Sequence, residues 1–261
     1  MSGSITFRET LRLVRDFLEV AFHTLLYIRQ VYPADLFHQV KKYNVPVWQS
    51  RNPALNEYLG RVLECIAEEL DKGVVRRVIL VIKEDSTEET PLERFVFEFE
   101  WLIAQRDMPK EAGDDFTPRA HGIARGDVED LFRACLLKLT LSQSHLRRLT
   151  TGVTFAVVLE MRDDAAPPES KAARAGHVPA EWIPAEQRQA AEDDGEGPGR
   201  GRAGGELSTI SPLEAVRLGV ISMDMRVEET AQKFNDSSEL MSSGEVELHP
   251  VRDRKGKGRA I

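Results

Sequence analysis

Cysteine is scarce in this chain: its 261 residues include two, Cys65 and Cys135, and no CxxC pair. Neither a disulfide framework nor a local zinc motif fits so few thiols at so wide a spacing. Both cysteines fall on apolar helix faces, which reads as buried, reduced sulfur. The six histidines, His23, His38, His121, His145, His177 and His249, show no HxxxH or HExxH spacing. A metal site built only by tertiary contacts stays open. No nucleophile elbow and no phosphate-binding loop are present, so nothing local marks an enzyme, and no cofactor is expected. Long apolar runs are also missing, which excludes a bilayer-crossing helix, and Arg8 and Arg12 interrupt any signal-peptide pattern. Positive charge is in deficit: the net charge is −8 and the pI about 5.4. Such a chain does not hold nucleic acid electrostatically, and any DNA contact is expected to be indirect. These absences together predict an intracellular protein with no membrane contact.

What is present is a patterned first two thirds. Thr6 and Glu9 form a capping box, and Leu11, Val14, Leu18, Ala21, Leu25 and Ile28 recur at helical spacing up to Pro33. Phe17, Phe22 and Leu26 widen the stripe, so this helix is expected to be buried on more than one side. His23 on it reads as a satisfied core or boundary residue. KKYNVPV at 41–47 reads as an edge strand or loop because of Pro46. Asn52 caps a second helix, Pro53 suits its first turn and Gly73 its end, with Leu55, Leu59, Val62, Ile66 and Leu70 inside.

Residues 74–82 and 94–103 read as strands of a hairpin. In the second, Phe95, Phe97, Phe99 and Trp101 alternate with Val96, Glu98 and Glu100. Asp127 opens a third helix with Val128, Leu131, Cys135, Leu136 and Leu139 on one face. Residues 153–161 form a further strand. Helix, helix, hairpin, helix, strand is an α+β order, with helices packed on an antiparallel sheet.

From 163 to 206 the character changes: prolines, acids and six glycines between Gly195 and Gly205. A structureless stretch of that length is functional or disordered. Strand-like sequence returns at 218–227, which implies a segment that travels around the domain and then docks. From about Glu228 the chain reads as a disordered tail.

Several patterns carry a chemical reading and a simpler one. GRGRAG at 199–204 matches a dinucleotide fingerprint but lacks the flanking strand and helix that would aim N–H groups at a pyrophosphate, so it reads as a flexible loop. Glu98 and Glu100 are paired carboxylates on one strand face, more simply solvated outward positions. Arg252, Arg254, Lys255, Lys257 and Arg259 form a basic end, a nuclear-import or phosphate-contacting patch or a solvated tail. The sequon at Asn235 would go unused inside a cell.

FLEVAFHTLLYIRQVYP at 17–33, Phe37, KKYNVPV at 41–47, PALNEY at 53–58, RFVFE at 94–98 and LFRACLLK at 131–138 together resemble one family. Trp182-Ile183 and Val227-Glu228-Glu229 extend the likeness over roughly residues 5–230. It is the HORMA-domain family, in its mitotic-arrest-deficient-like branch that serves DNA polymerase zeta as accessory subunit. The resemblance implies an α+β HORMA fold at 5–230: a core at about 5–162 with three helices on an antiparallel sheet, and a mobile C-terminal safety belt at about 163–230. Residues 231–261 remain a disordered tail with a basic end.

The implied function is a non-catalytic nuclear adaptor in translesion synthesis. Its belt closes over a proline-containing peptide of the polymerase's catalytic subunit, and the domain bridges to a Y-family scaffold polymerase. A spindle-checkpoint or meiotic HORMA adaptor capturing a kinetochore or axis-protein peptide is the alternative. By resemblance, Tyr58 is the peptide-contacting tyrosine and Trp182 the belt tryptophan over the peptide. Arg133 is the arginine used when these domains dimerise. On the scaffold-facing surface the family offers leucine, glutamine and tyrosine. Ile210, Asp224 and Arg226 stand there in this chain, and the last two depart from that chemistry.

Overall fold

The computed structural model describes residues 4–87, 89–103, 116–117, 122–149, 152–162, 207–231 and 233. Helix α1 (Phe7–Ile28) begins where Thr6 Oγ1 accepts the Glu9 N–H at 3.2 Å. Fourteen of its 22 residues are buried, including the neutral His23, so it lies inside the domain on more than one side. It ends short of Pro33: Arg29 caps it, and Gln30 turns the chain away at φ 54°.

Strands β1 (Phe37–Lys42) and β2 (Val45–Ser50) pair as a separate hairpin. Tyr43 and Asn44 take its turn at φ 46° and 60°, the two positive values that suit the twist of a tight hairpin. The stretch at 41–47 is therefore the turn and flanks of a hairpin. Tyr27 stacks on Trp48 with ring centroids 3.7 Å apart and fastens the hairpin to α1.

Asn52 Oδ1 accepts the Ala54 N–H at 3.0 Å to start α2 (Pro53–Asp71), and Gly73 leaves it at φ 73°. Strands β3 (Val75–Glu84) and β4 (Pro91–Trp101), helix α3 (Arg125–Ser142), β5 (Val153–Met161), β6 (Leu207–Arg217) and β7 (Ile221–Thr230) complete the order. The antiparallel sheet has the order β5-β3-β4-β7-β6. The expected strand at 218–227 is in fact a turn followed by β7. Gly219, at φ 77°, reverses the chain between β6 and β7. Strand β6 was illegible because Ser211 and Pro212 break its alternation, and the ladder absorbs Pro212 at a bulge. Strand β7 runs on to Thr230 and Lys233 is buried, so order extends beyond the expected start of the tail.

One face of the sheet carries Val78, Phe97 and Met225 in one row and Leu80, Phe95 and Val227 in the next. All six are buried beneath the helices. Phe17 of α1 stacks on Phe132 of α3 at 4.5 Å and meets Phe97 edge-on at 6.3 Å, so one side chain joins two helices and the sheet. Burial pushes the Cys135 thiol up to about 12, and neither cysteine forms a disulfide.

Candidate functional site

Strand β5 is terminal in the sheet, and among the described residues no strand pairs with its outer side. Its backbone donors and acceptors there can be met by an added strand or by water. Eight of its nine residues are half-buried and none is fully buried, unlike the strands inside the sheet.

Helix α2 starts beside this edge. Tyr58, 40% exposed, stands one and a half turns into it and meets the Phe155 ring edge-on at 5.9 Å. Tyr32, just beyond α1, meets the same ring at 6.2 Å. With Asn52, Ala54, Leu55 and Thr154 these rings line a hollow of about 370 Å³. Burial, and then the neighbouring Tyr32, raises the Tyr58 phenol, which stays a neutral donor. Tyr58 was legible by resemblance. Tyr32 and Phe155 were not singled out, although Tyr32 precedes a helix-stopping proline and Phe155 lies in a recognised strand.

The chain leaves β5 where Met161 pairs with Val75, the first residue of β3. It enters β6 where Leu207 pairs with Thr230, the last residue of β7. The connection at 163–206 therefore starts at one end of one sheet edge and finishes at the opposite end of the other. Trp182 and GRGRAG at 199–204 lie in it, and they, the sequon at Asn235 and the basic end at 252–259 are all outside the described residues.

Ile210, Asp224 and Arg226, the three positions singled out by resemblance for a scaffold contact, lie on the sheet face away from the helices. Ile210 opposes Glu228, Pro212 opposes Arg226 and Ala215 opposes Asp224. Ile210 is 55% exposed and Asp224 is exposed. Arg226 is different: its Nη1 donates to Glu98 at 2.6 Å and its Nε to Glu228 at 2.9 Å. Arg77 also pairs with Glu98, at 3.1 Å. Glu98 is thus a node joining β3, β4 and β7, which corrects its reading as a solvated residue. Burial would raise its carboxyl, but hydrogen bonds from Arg77 and Arg226 outweigh that and hold it below the usual range. Glu100 is exposed, as an outward position should be. Asp224 lines a hollow of about 680 Å³ together with Arg76, Arg162, Arg217, Glu98 and Glu100.

Arg133 pairs with Asp130 at 2.7 Å and donates Nε to the Tyr43 carbonyl at 3.0 Å. It ties α3 to the strained turn of the β1–β2 hairpin, a role that spacing alone did not reveal. His23 Nδ1 accepts the Ser50 N–H at 3.4 Å, and burial lowers its pKa to about 4. Among the described residues, no three His, Cys, Asp or Glu side chains are grouped to hold a metal ion, and no helix is long and apolar enough to cross a membrane.

This arrangement, a bare strand edge walled by aromatic rings, suits an extended peptide. A family model described as the HORMA domain matches residues 10–193. The human mitotic spindle assembly checkpoint protein MAD2B is 33% identical over 218 residues, 84% of this chain and 90% of its own. The DNA polymerase zeta processivity subunit of Schizosaccharomyces pombe is 47% identical over 83 residues, 31% of this chain and 38% of that protein. Among solved structures, a chain of the mitotic checkpoint complex superposes with a TM-score of 0.59 at 18% identity, covering 85% of this chain and 98% of its own. Caenorhabditis elegans HTP-2 bound to HTP-3 closure motif 1 gives 0.57 at 13% identity, covering 85% and 86%. At such identities these two structures speak to the fold alone.

Proposed function

The chain belongs to the HORMA-domain family, whose adaptors are non-catalytic, and on that premise we propose that it is an accessory subunit of DNA polymerase zeta. It captures a proline-containing segment of the catalytic subunit and works in the nucleus. The observation that carries this reading is the bare outer edge of β5 beside Tyr32, Tyr58 and Phe155. A captured segment adds a strand there: main-chain hydrogen bonds supply affinity, and the rings select what lies against them. The segment at about 163–230, carrying Trp182, acts as the belt. A segment held between β5 and the belt leaves only when the belt unseats, which slows dissociation.

The test is binding of a labelled proline-containing peptide from a polymerase zeta catalytic subunit to the purified full chain. Tyr58→Ala and Trp182→Ala are each expected to weaken it by ~1–2 kcal/mol. Unchanged affinity in both variants removes these residues from the site.

The name of the human relative favours a second reading, a spindle-checkpoint or meiotic adaptor capturing a kinetochore or axis-protein peptide. Competition between such peptides and the polymerase segment for the same edge separates the two. A contact with a Y-family scaffold polymerase would use Ile210 and Asp224, since Arg226 is committed to Glu98 and Glu228. Dimerisation through the α3 surface around Arg133 is the remaining expectation, checked by sedimentation of Arg133→Ala.

A further inference from the structure

Four charged side chains are buried where α1, β4 and β7 meet, and peptide capture at β5 makes no use of them. Glu93 is 0% exposed, Lys233 4%, Arg29 6% and Glu229 6%. Arg29, the cap of α1, grips Glu93 with Nε at 2.8 Å and Nη2 at 2.6 Å, and its Nη2 also donates to the Arg147 carbonyl at 2.7 Å. Lys233 Nζ donates to Glu93 and to Glu229.

The ladder explains why a second cation is needed. Glu93 and Glu229 are direct partners across β4 and β7, so this register sets two buried carboxylates face to face. Like charges directly opposite weaken a sheet, and burial makes the repulsion worse. Arg29 serves Glu93. Lys233 is the cation that bridges both carboxylates. A slip of one residue would move every apolar side chain of β7 to the wrong face, so the register cannot relax to avoid the clash.

The quartet also divides cleanly. Arg29 and Glu93 belong to the body of the domain, while Lys233 and Glu229 lie four residues apart on the C-terminal segment. Each half is neutral by itself. The hairpin can therefore dock and undock without stranding a buried charge on either side. Beside the quartet, Thr230 Oγ1 donates to the Pro91 carbonyl at 2.6 Å, which pins the same end of β7.

We propose that Lys233 is a latch that licenses the docking of β7 on β4 and so sets how firmly the C-terminal hairpin is seated. Its consequence for the lifetime of a captured peptide rests on the capture reading; its effect on the hairpin does not. Lys233→Met leaves Glu229 buried without its cation, whereas Lys233→Met with Glu229→Gln removes both charges and leaves Arg29–Glu93 intact.

Hydrogen exchange of the full chain without peptide tests the latch directly. Lys233→Met is expected to raise exchange across residues 221–230 on the order of 100-fold relative to β3, the scale of a buried ion pair broken on one side. The double variant should recover most of that protection, and Lys233→Arg should retain it. Unchanged exchange in Lys233→Met overturns the latch. A rise that is equal in β3 and α1 also overturns it, because the lysine would then act on global stability alone. Dissociation of the labelled polymerase peptide is the second readout, expected to quicken in Lys233→Met. If the wild-type chain captures no peptide but the exchange pattern holds, the capture reading fails and the latch stands. If capture is intact and neither exchange nor dissociation changes, the latch fails alone.

Discussion

Along one edge of the five-stranded sheet, β5 offers half-buried residues and a backbone that no other strand among the described residues pairs on its outer side. On the other side, the edge of β4 is covered by a hairpin of β7, nearly all buried or half-buried, and β6, which is itself the terminal strand there. The protected edge is held by ladder hydrogen bonds, by Arg226 on the outer face and by the buried quartet at its end. An exposed strand edge invites uncontrolled pairing, so proteins usually blunt or cover it. Here the chain covers one edge with its own C-terminal hairpin. Beside β5 it places aromatic rings, and no strand among the described residues covers that edge. The difference separates what the domain needs in order to fold from what it holds ready for a partner.

The broadest way to test this contrast is to damage what both edges share. Phe17→Ala removes a ring fully buried against Phe132 and Phe97, and should cost ~3–5 kcal/mol in denaturant unfolding. Exchange should rise at both edges together. A loss confined to one edge would show that the core does not unite them.

Acid should act on the same shared body. The folded pKa of His23 lies near 4, below the ordinary imidazole value of 6.5, so the native state holds the ring neutral. The unfolded chain binds the proton first as pH falls. The stability this group contributes is complete above pH ~6.5 and drains away down to pH ~4. Between pH 7 and 5 the loss should be about 2 kcal/mol, and His23→Gln should flatten that part of the profile. An unaltered profile in the variant would show that His23 is not the group responsible.

Tyr58→Ala sharpens the contrast at the bare edge. Peptide affinity should fall by ~1–2 kcal/mol while the unfolding midpoint moves little, because the residue is 40% exposed. A large drop in stability with unchanged binding would reassign the ring to structure. At the protected edge, Arg226→Gln removes a partly exposed ion pair and should cost about 0.5–1 kcal/mol in unfolding, screened by added salt. That is the smallest expected effect, and it should leave peptide binding at β5 unchanged.

Much of this was legible because helix punctuation is local. Thr6, Asn52, Pro53 and Gly73 act on the nearest N–H and carbonyl groups, so their meaning does not depend on distant chain. The rows of Phe95, Phe97 and Phe99 were equally plain, since a two-residue period exposes the buried face of a strand. Strand β6 was not plain. Its ladder tolerates Pro212 because β6 is the terminal strand and its register with β7 shifts just after that residue. Glu98 looked solvated because nothing in its own strand announces Arg77 and Arg226. In the candidate site, Tyr58 stood out through its resemblance to the family, while Tyr32 and Phe155 became partners only when α1, α2 and β5 met.

The sequence by itself determined the helices, the central strands, the α+β class and the family. Each rests on periodicity, capping or a run of matching residues, all of which survive in one dimension. Tertiary structure alone decided that β5 ends the sheet, which rings lie beside it and which cation meets the far hairpin. Those depend on contacts between segments far apart in the chain, such as Glu93 with Lys233, and no local spacing encodes them.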